Sequence, residues 1–204
     1  MQTSTELFVC AASAALLFSG CSTAPLSLSI HETSPGVFEG RKPKTEADFA
    51  TLRQNKIRTI LSLQTLTCAV EPERKRAEQN GLALLNVPIL ASPFGPRERN
   101  VKAALQILAT PSLKPIYVHC LLGRDRTGVL LALYRVYYEN WTPEAAWDDM
   151  IRRGGFKSRL GMLGFEMYFW RHTRRPAWVK GVVPAPKPKM PANSGMGSAG
   201  SLAR

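Results

Sequence analysis

Between residues 115 and 128 the chain passes from a short apolar run, through a glycine-bearing turn, into a long apolar segment. Pro115-Ile116-Tyr117-Val118-His119 is a continuous apolar stretch bounded by proline, the pattern of a strand buried on both faces. Cys120 to Thr127 follow, and from Gly128 to Glu139 the residues are apolar enough to predict a buried helix. A fully buried strand that feeds directly into a helix belongs to a sheet covered by helices on both sides.

The rest of the central region agrees. Gly36 to Glu39, Ile57 to Leu63 and Leu82 to Ile89 read as strands, being β-branched or apolar and bounded by turn residues. Thr45 with Asp48 three positions on can cap a helix whose apolar face holds Phe49 and Leu52. Glu71 to Gln79 reads as a charged helix closed by Asn80-Gly81. Val101, Leu105 and Leu108 keep helical spacing, and two further helices are expected, one opened by Thr142-Pro143-Glu144 and one from Leu163 to Trp170. Strands alternating with helices predict an α/β domain, residues 30–179, with a mainly parallel central sheet. In such sheets the site lies at the carboxyl ends of the strands.

That rule singles out the segment after His119. A turn this tight aims the amides of Leu121, Leu122, Gly123, Arg124, Asp125 and Arg126 into one concavity above a helix N-terminus, which suits a tetrahedral dianion. Gly123 permits close backbone approach, and Arg126 can grip two oxygens with a bidentate fork. The same partial charges lower a cysteine pKa, so Cys120 is expected to be a thiolate, with Thr127 donating its hydroxyl to the sulfur. A thiolate beneath a bound phosphate is placed for in-line attack and a phosphocysteine intermediate. Arginine and amides supply the charge, so no metal or other cofactor is expected.

The segment His119-Cys120-x5-Arg126-Thr127-Gly128 resembles the signature of the protein tyrosine phosphatase superfamily. The pattern from Ser34-Pro35-Gly36-Val37-Phe38 through Phe49–Leu63, Ala77–Pro88 and Ala104–His119 is similar to the atypical dual-specificity phosphatases of plants and fungi and their bacterial relatives. The resemblance implies a cysteine phosphatase fold with a four- or five-stranded sheet. It also implies substrates among phosphotyrosine, phosphoinositides, inositol phosphates and inositol pyrophosphates. Such enzymes need a general acid, commonly an Asp upstream of the cysteine. Glu98 is the sole carboxylate between Gly81 and His119, and Asp125 inside the loop is the other candidate, the Gly-x-Asp-Arg arrangement being similar to that of myotubularin-like lipid phosphatases. A degenerate phosphate-binding module would be expected to have lost Cys120 or Arg126.

Charge narrows the substrate. Twenty-seven Lys and Arg against 15 acids give a net charge of +12, a field that draws polyanions. Arg124 beside the nucleophile and Lys157 within the basic stretch Ile151–Arg159 are expected to contact substrate charge. A small polyphosphorylated substrate, an inositol polyphosphate or phosphoinositide, is favoured over a phosphoprotein. No nucleic-acid motif accompanies the basic residues, and a monomer is expected.

The ends read differently. Leu7 to Phe18 is an apolar run too short to span a bilayer and suits a secretory leader over residues 1–21. It ends at Phe18-Ser19-Gly20-Cys21, which resembles a bacterial lipobox; Cys21 is then lipidated, or the leader is simply cleaved. Either outcome predicts an extracytoplasmic protein, membrane-anchored or periplasmic. Residues 22–29 form a linker, and 180–204 are rich in Pro, Gly, Ser and Lys, the composition of a disordered tail. Cys68 reads as a small, semi-buried residue, and the four cysteines show no metal-ligand spacing.

Overall fold

A computed structural model describes residues 28–155 and 159–181. The leader with Cys21, the C-terminal tail, and Lys157 lie outside the described residues. Five strands form one sheet: β1 (His31–Ser34), β2 (Val37–Gly40), β3 (Thr59–Ser62), β4 (Ala83–Asn86) and β5 (Ile116–His119). Their order is β1-β2-β5-β3-β4, with β1 antiparallel to β2 and every other pair parallel. The predicted α/β architecture is present, with β5 in the middle.

Among the described residues six α-helices cover the sheet: α1 (Glu46–Gln54), α2 (Thr67–Gln79), α3 (Glu98–Ala109), α4 (Asp125–Tyr138), α5 (Pro143–Arg152) and α6 (Arg159–Arg171). Side-chain alternation sorts them into two layers. Tyr117 and Ile60 point to one face, where they meet Phe49 and Leu52 of α1 and Val70 and Ala77 of α2. Ile116, Val118 and Leu61 point to the other, against Leu105 of α3, Leu130 and Leu133 of α4, Met150 of α5 and Phe165 of α6. With both faces covered, β5 is buried at all four positions, which is why its residues are uninterrupted by polar ones except at the end.

Local signals act where they were expected. Thr45 and Asp48 close a reciprocal capping box on α1. Asn80 caps α2, and Gly81 follows with φ +69°, the left-handed turn that ends a helix. Thr142 caps α5 with Pro143 in its first turn.

Three expectations need correction. β1 went unread because only its last residue is buried, so its residues carry no apolar alternation. α2 begins at Thr67, four residues before Glu71. Its N-cap is Leu66, which has no capping side chain, and Pro72 lies within the helix, so both signals argued against an earlier start. Cys68 is exposed rather than semi-buried, standing in the first turn of α2.

Candidate active site

The carboxyl ends of β2, β5, β3 and β4 meet at one edge of the sheet, and the loop from Cys120 to Arg124 leaves the central strand there. Its curvature has a steric origin at Gly123. This residue has φ +69°, and a β-carbon on it would stand 2.0 Å from the Gly40 carbonyl oxygen and 2.8 Å from the Arg41 nitrogen. The glycine is therefore required by the end of β2, against which the loop is pressed. Lys42 N–H donates to the Leu121 carbonyl at 3.2 Å and fastens the two segments together. On the far side Gly128 lets α4 close on α5, since a β-carbon there would meet Met150 Cγ at 2.7 Å.

Cys120 sits at the floor, only 3% exposed. Burial pushes its thiol pKa up, but the Thr127 hydroxyl bond, the Arg126 charge, and N–H bonds from Thr127 and Gly123 pull it down; the net result is a thiol below its ordinary value. Thr127 is wholly buried, and its hydroxyl is the first of the groups that lower the thiol.

Arg126 begins on α4 and reaches across to the neighbouring strands. Its Nη1 donates to the carbonyls of Leu63 and Ile89, each at 3.3 Å, just past the ends of β3 and β4. Two backbone carbonyls thus fix the orientation of the guanidinium plane without neutralising it. A rigid, still-charged fork beside a depressed thiol can bind an oxyanion and hold its phosphorus over sulfur.

Beneath the loop lies a buried set that sequence reading did not find. His119 and Glu73 are both fully buried, with Nε2 to Oε1 at 2.6 Å, and His119 Nδ1 meets the Cys120 carbonyl oxygen at 2.8 Å. Lys42 Nζ lies 3.5 Å from the other Glu73 oxygen. The imidazole thus ties the buried carboxylate of α2 to the backbone of Cys120. The charged run of α2 hid Glu73; its place three residues after Val70 and four before Ala77, both buried, was the available signal.

The remaining expected residues fall as follows. Leu121 and Leu122 contribute backbone to the loop, while their side chains stand half-exposed at its edge. Arg124 takes the N-cap position of α4. Its Cδ would lie 3.8 Å from a β-carbon on Gly154, and it lines a cleft of about 730 Å³ together with Gly40, Arg41, Glu39 and Arg153. Of the basic stretch, Ile151 and Arg152 finish α5, and Arg153 is spent on Glu39 and Asp149.

The two carboxylate candidates separate. Asp125 opens α4 within the phosphate loop, partly exposed. Glu98 is exposed on the first turn of α3, and its charge is felt by Tyr137 and Tyr168. Tyr137 lies twelve residues beyond Asp125 on α4, about 18 Å along the helix axis.

Comparison with known proteins follows the same lines. Residues 36–140, just over half of the chain, match the family model described as polymorphic toxin system, DSP-PTPase phosphatase. The dual specificity protein phosphatase TpbA of Pseudomonas aeruginosa is 25% identical over 130 residues, covering 64% of this chain and 56% of the relative. Inositol diphosphatase DSP4 of Arabidopsis thaliana is 26% identical over 128 residues, 61% of this chain and 63% of the relative. The chain thus spans less than two thirds of the length of these relatives. The core catalytic domain of the PP-IP phosphatase SIW14 from S. cerevisiae shares the fold, with a TM-score of 0.57 at 24% identity, over 68% of this chain and 84% of that one. The chain belongs to the DSP-PTPase phosphatase family of the protein tyrosine phosphatase superfamily.

Proposed function

We propose that the protein is a metal-independent phosphate monoester hydrolase that works through a phosphocysteine on Cys120, with an inositol polyphosphate or phosphoinositide as substrate. The carrying observation is the depressed thiol of Cys120 at the end of the central strand, beside an Arg126 fixed by two carbonyls. The loop amides and the Arg126 fork receive the phosphate oxygens. The thiolate attacks phosphorus, the P–O bond to the leaving group breaks, and Asp125 gives the departing oxygen its proton. Water then attacks the phosphocysteine, Asp125 takes the proton back, and phosphate leaves with the thiolate regenerated. Asp125 is preferred to Glu98 because it stands in the loop, while the field of Glu98 acts on Tyr137 and Tyr168.

Several observations support a polyphosphorylated substrate. Arg124 adds a cation beside the loop, the chain carries +12 overall, and one relative is named as an inositol diphosphatase. Lipidation at Cys21 would hold the domain at an extracytoplasmic membrane surface. The test is phosphate release from inositol phosphates, dispersed phosphoinositides and phosphotyrosine peptides, with Cys120→Ser as the inactive control. Turnover confined to the peptides would overturn the substrate assignment. Turnover that requires a divalent metal, or that survives Cys120→Ser, would overturn the mechanism.

A further inference from the structure

Nine large apolar side chains stand exposed among the described residues, and five lie on one rim: Leu66, Leu90, Phe94, Leu121 and Leu122. Leu66 follows β3, Leu90 and Phe94 follow β4, and Leu121 and Leu122 follow β5. These three strands are parallel neighbours, so their carboxyl ends, and the loops after them, share one edge of the sheet. It is the edge that holds Cys120. Exposed apolar residues scattered singly need no explanation, but a cluster around a binding site does.

The most exposed of them is also the most firmly displayed. Phe94 is 96% exposed. Its loop is a tight turn in which Gly95 N–H donates to the Ser92 carbonyl at 3.0 Å and Phe94 N–H to the Ser92 hydroxyl at 3.2 Å. The turn is seated on α6 at Gly164, where a β-carbon would lie 2.3–2.5 Å from Gly95 N, Ser92 O and Pro93 O. The backbone is held from below while the ring points out. Beside that seat, Leu163 and Met167 are half-exposed on α6. Cations flank the tip: Arg97 and Arg99 follow it directly, both exposed.

We infer that this rim docks the enzyme on an anionic lipid surface, Phe94 and Leu90 entering the apolar layer while Arg97 and Arg99 meet the headgroup charge. Docking in this way turns the phosphate loop toward headgroup phosphate esters. The charge selects the occupant: a second copy of a chain carrying +12 would bring like charge to the rim, whereas an anionic bilayer offers opposite charge and room for an aromatic ring. The inference deepens the reading of the site as a phosphatase, but its test is read as binding and does not depend on turnover.

The full chain carrying Cys21→Ser, so that no acyl group contributes, is sedimented with vesicles of phosphatidylcholine alone or of phosphatidylcholine with phosphatidylglycerol. Binding is expected on the mixed vesicles, weakening as salt is raised. Leu90→Ser with Phe94→Ser should reduce the partition coefficient about tenfold for each side chain withdrawn from the apolar layer. Soluble para-nitrophenyl phosphate should still be hydrolysed at the unaltered rate. Phe94→Trp should bring fluorescence that acyl-brominated lipid quenches beyond the wild-type level. Equal partition of the double variant and its parent, or no added quenching, would overturn the proposal. So would loss of self-association in the double variant with no vesicle binding by its parent, which would make the rim a protein interface. Loss of para-nitrophenyl phosphate turnover in the parent would strike the phosphatase reading alone.

Discussion

Replacing Thr127 by valine tests the electrostatics of the nucleophile with little change of shape. Thr127 is fully buried, and its hydroxyl is the first of the groups that pull the Cys120 thiol down. Valine keeps the volume, the backbone N–H bond to sulfur and the Arg126 charge. It deletes one donor to an anion, an interaction worth about 1.5–3 kcal/mol. That bond favours the charged form, so its loss must raise the thiol and lower the thiolate-to-thiol ratio at a given pH roughly ten- to hundredfold. The assay is the rate of iodoacetamide alkylation of Cys120 against pH, with Cys10, Cys21 and Cys68 replaced by serine. The acidic limb of kcat/KM for para-nitrophenyl phosphate should move to higher pH with the alkylation midpoint. Stability obeys the same sign. A depressed folded-state thiol stabilises the fold fully above the ordinary thiol value, and the contribution is lost as pH falls through the depressed value; Thr127→Val should narrow that window from its acid side. An alkylation midpoint identical to that of the parent would refute the hydroxyl-to-sulfur bond and the role built on it.

Other expectations follow from the same geometry. Asp125→Asn should lower kcat for alkyl phosphates by about 10²–10⁴-fold, with a smaller loss on para-nitrophenyl phosphate, while Glu98→Gln leaves both pH–rate profiles unchanged; the reverse pattern would move the acid to α3. Gly123→Ala should lower urea-determined stability by at least about 1–3 kcal/mol, because its β-carbon would strike the Gly40 carbonyl. Gly81→Ala shares the positive φ but meets nothing within 4 Å, so it isolates the backbone cost of about 1–2 kcal/mol. Glu73→Ala leaves a buried His119 without its carboxylate and should cost about 3–5 kcal/mol in the same urea titration.

How much was legible depended on whether each residue's neighbours were local. The site loop was readable because strand, nucleophile, arginine and helix lie within one stretch, His119 to Gly128, and a phosphate cradle is a local backbone structure. The capping box at Thr45 and Asp48 was readable for the same reason. What the sequence hid was assembled from distant parts. The Glu73 partner of His119 arrives from α2, and Gly123 is dictated by Gly40, which pairing of β2 with β5 brings alongside. Arg153 looked like one of several free cations until Glu39 and Asp149 were placed against it. Those two carboxylates offset its charge in the surface field on which the basic stretch was judged. The neighbours of Glu98 likewise needed three dimensions, since only there does its charge fall on Tyr137 and Tyr168.

The balance of terms at the floor of the loop also explains why the nucleophile is sulfur. Ionising a thiol of ordinary pKa at neutral pH takes about 2 kcal/mol, whereas a hydroxyl near water's ~15.7 takes roughly 12. Three hydrogen bonds reach the position of the Cys120 sulfur, from the Thr127 hydroxyl and the Thr127 and Gly123 amides, and Arg126 adds its charge. At ~1.5–3 kcal/mol for each bond to an anion, the gross stabilisation approaches 10 kcal/mol. Burial at 3% exposure takes back several kcal/mol. The net balance depresses the thiol, and even the gross sum falls short of making an alkoxide. A loop with the same amides and the same arginine would therefore bind phosphate with serine at position 120 but could not attack it. The electrostatics that select a dianion and the electrostatics that create the nucleophile are one set of groups, and only sulfur lies within their reach.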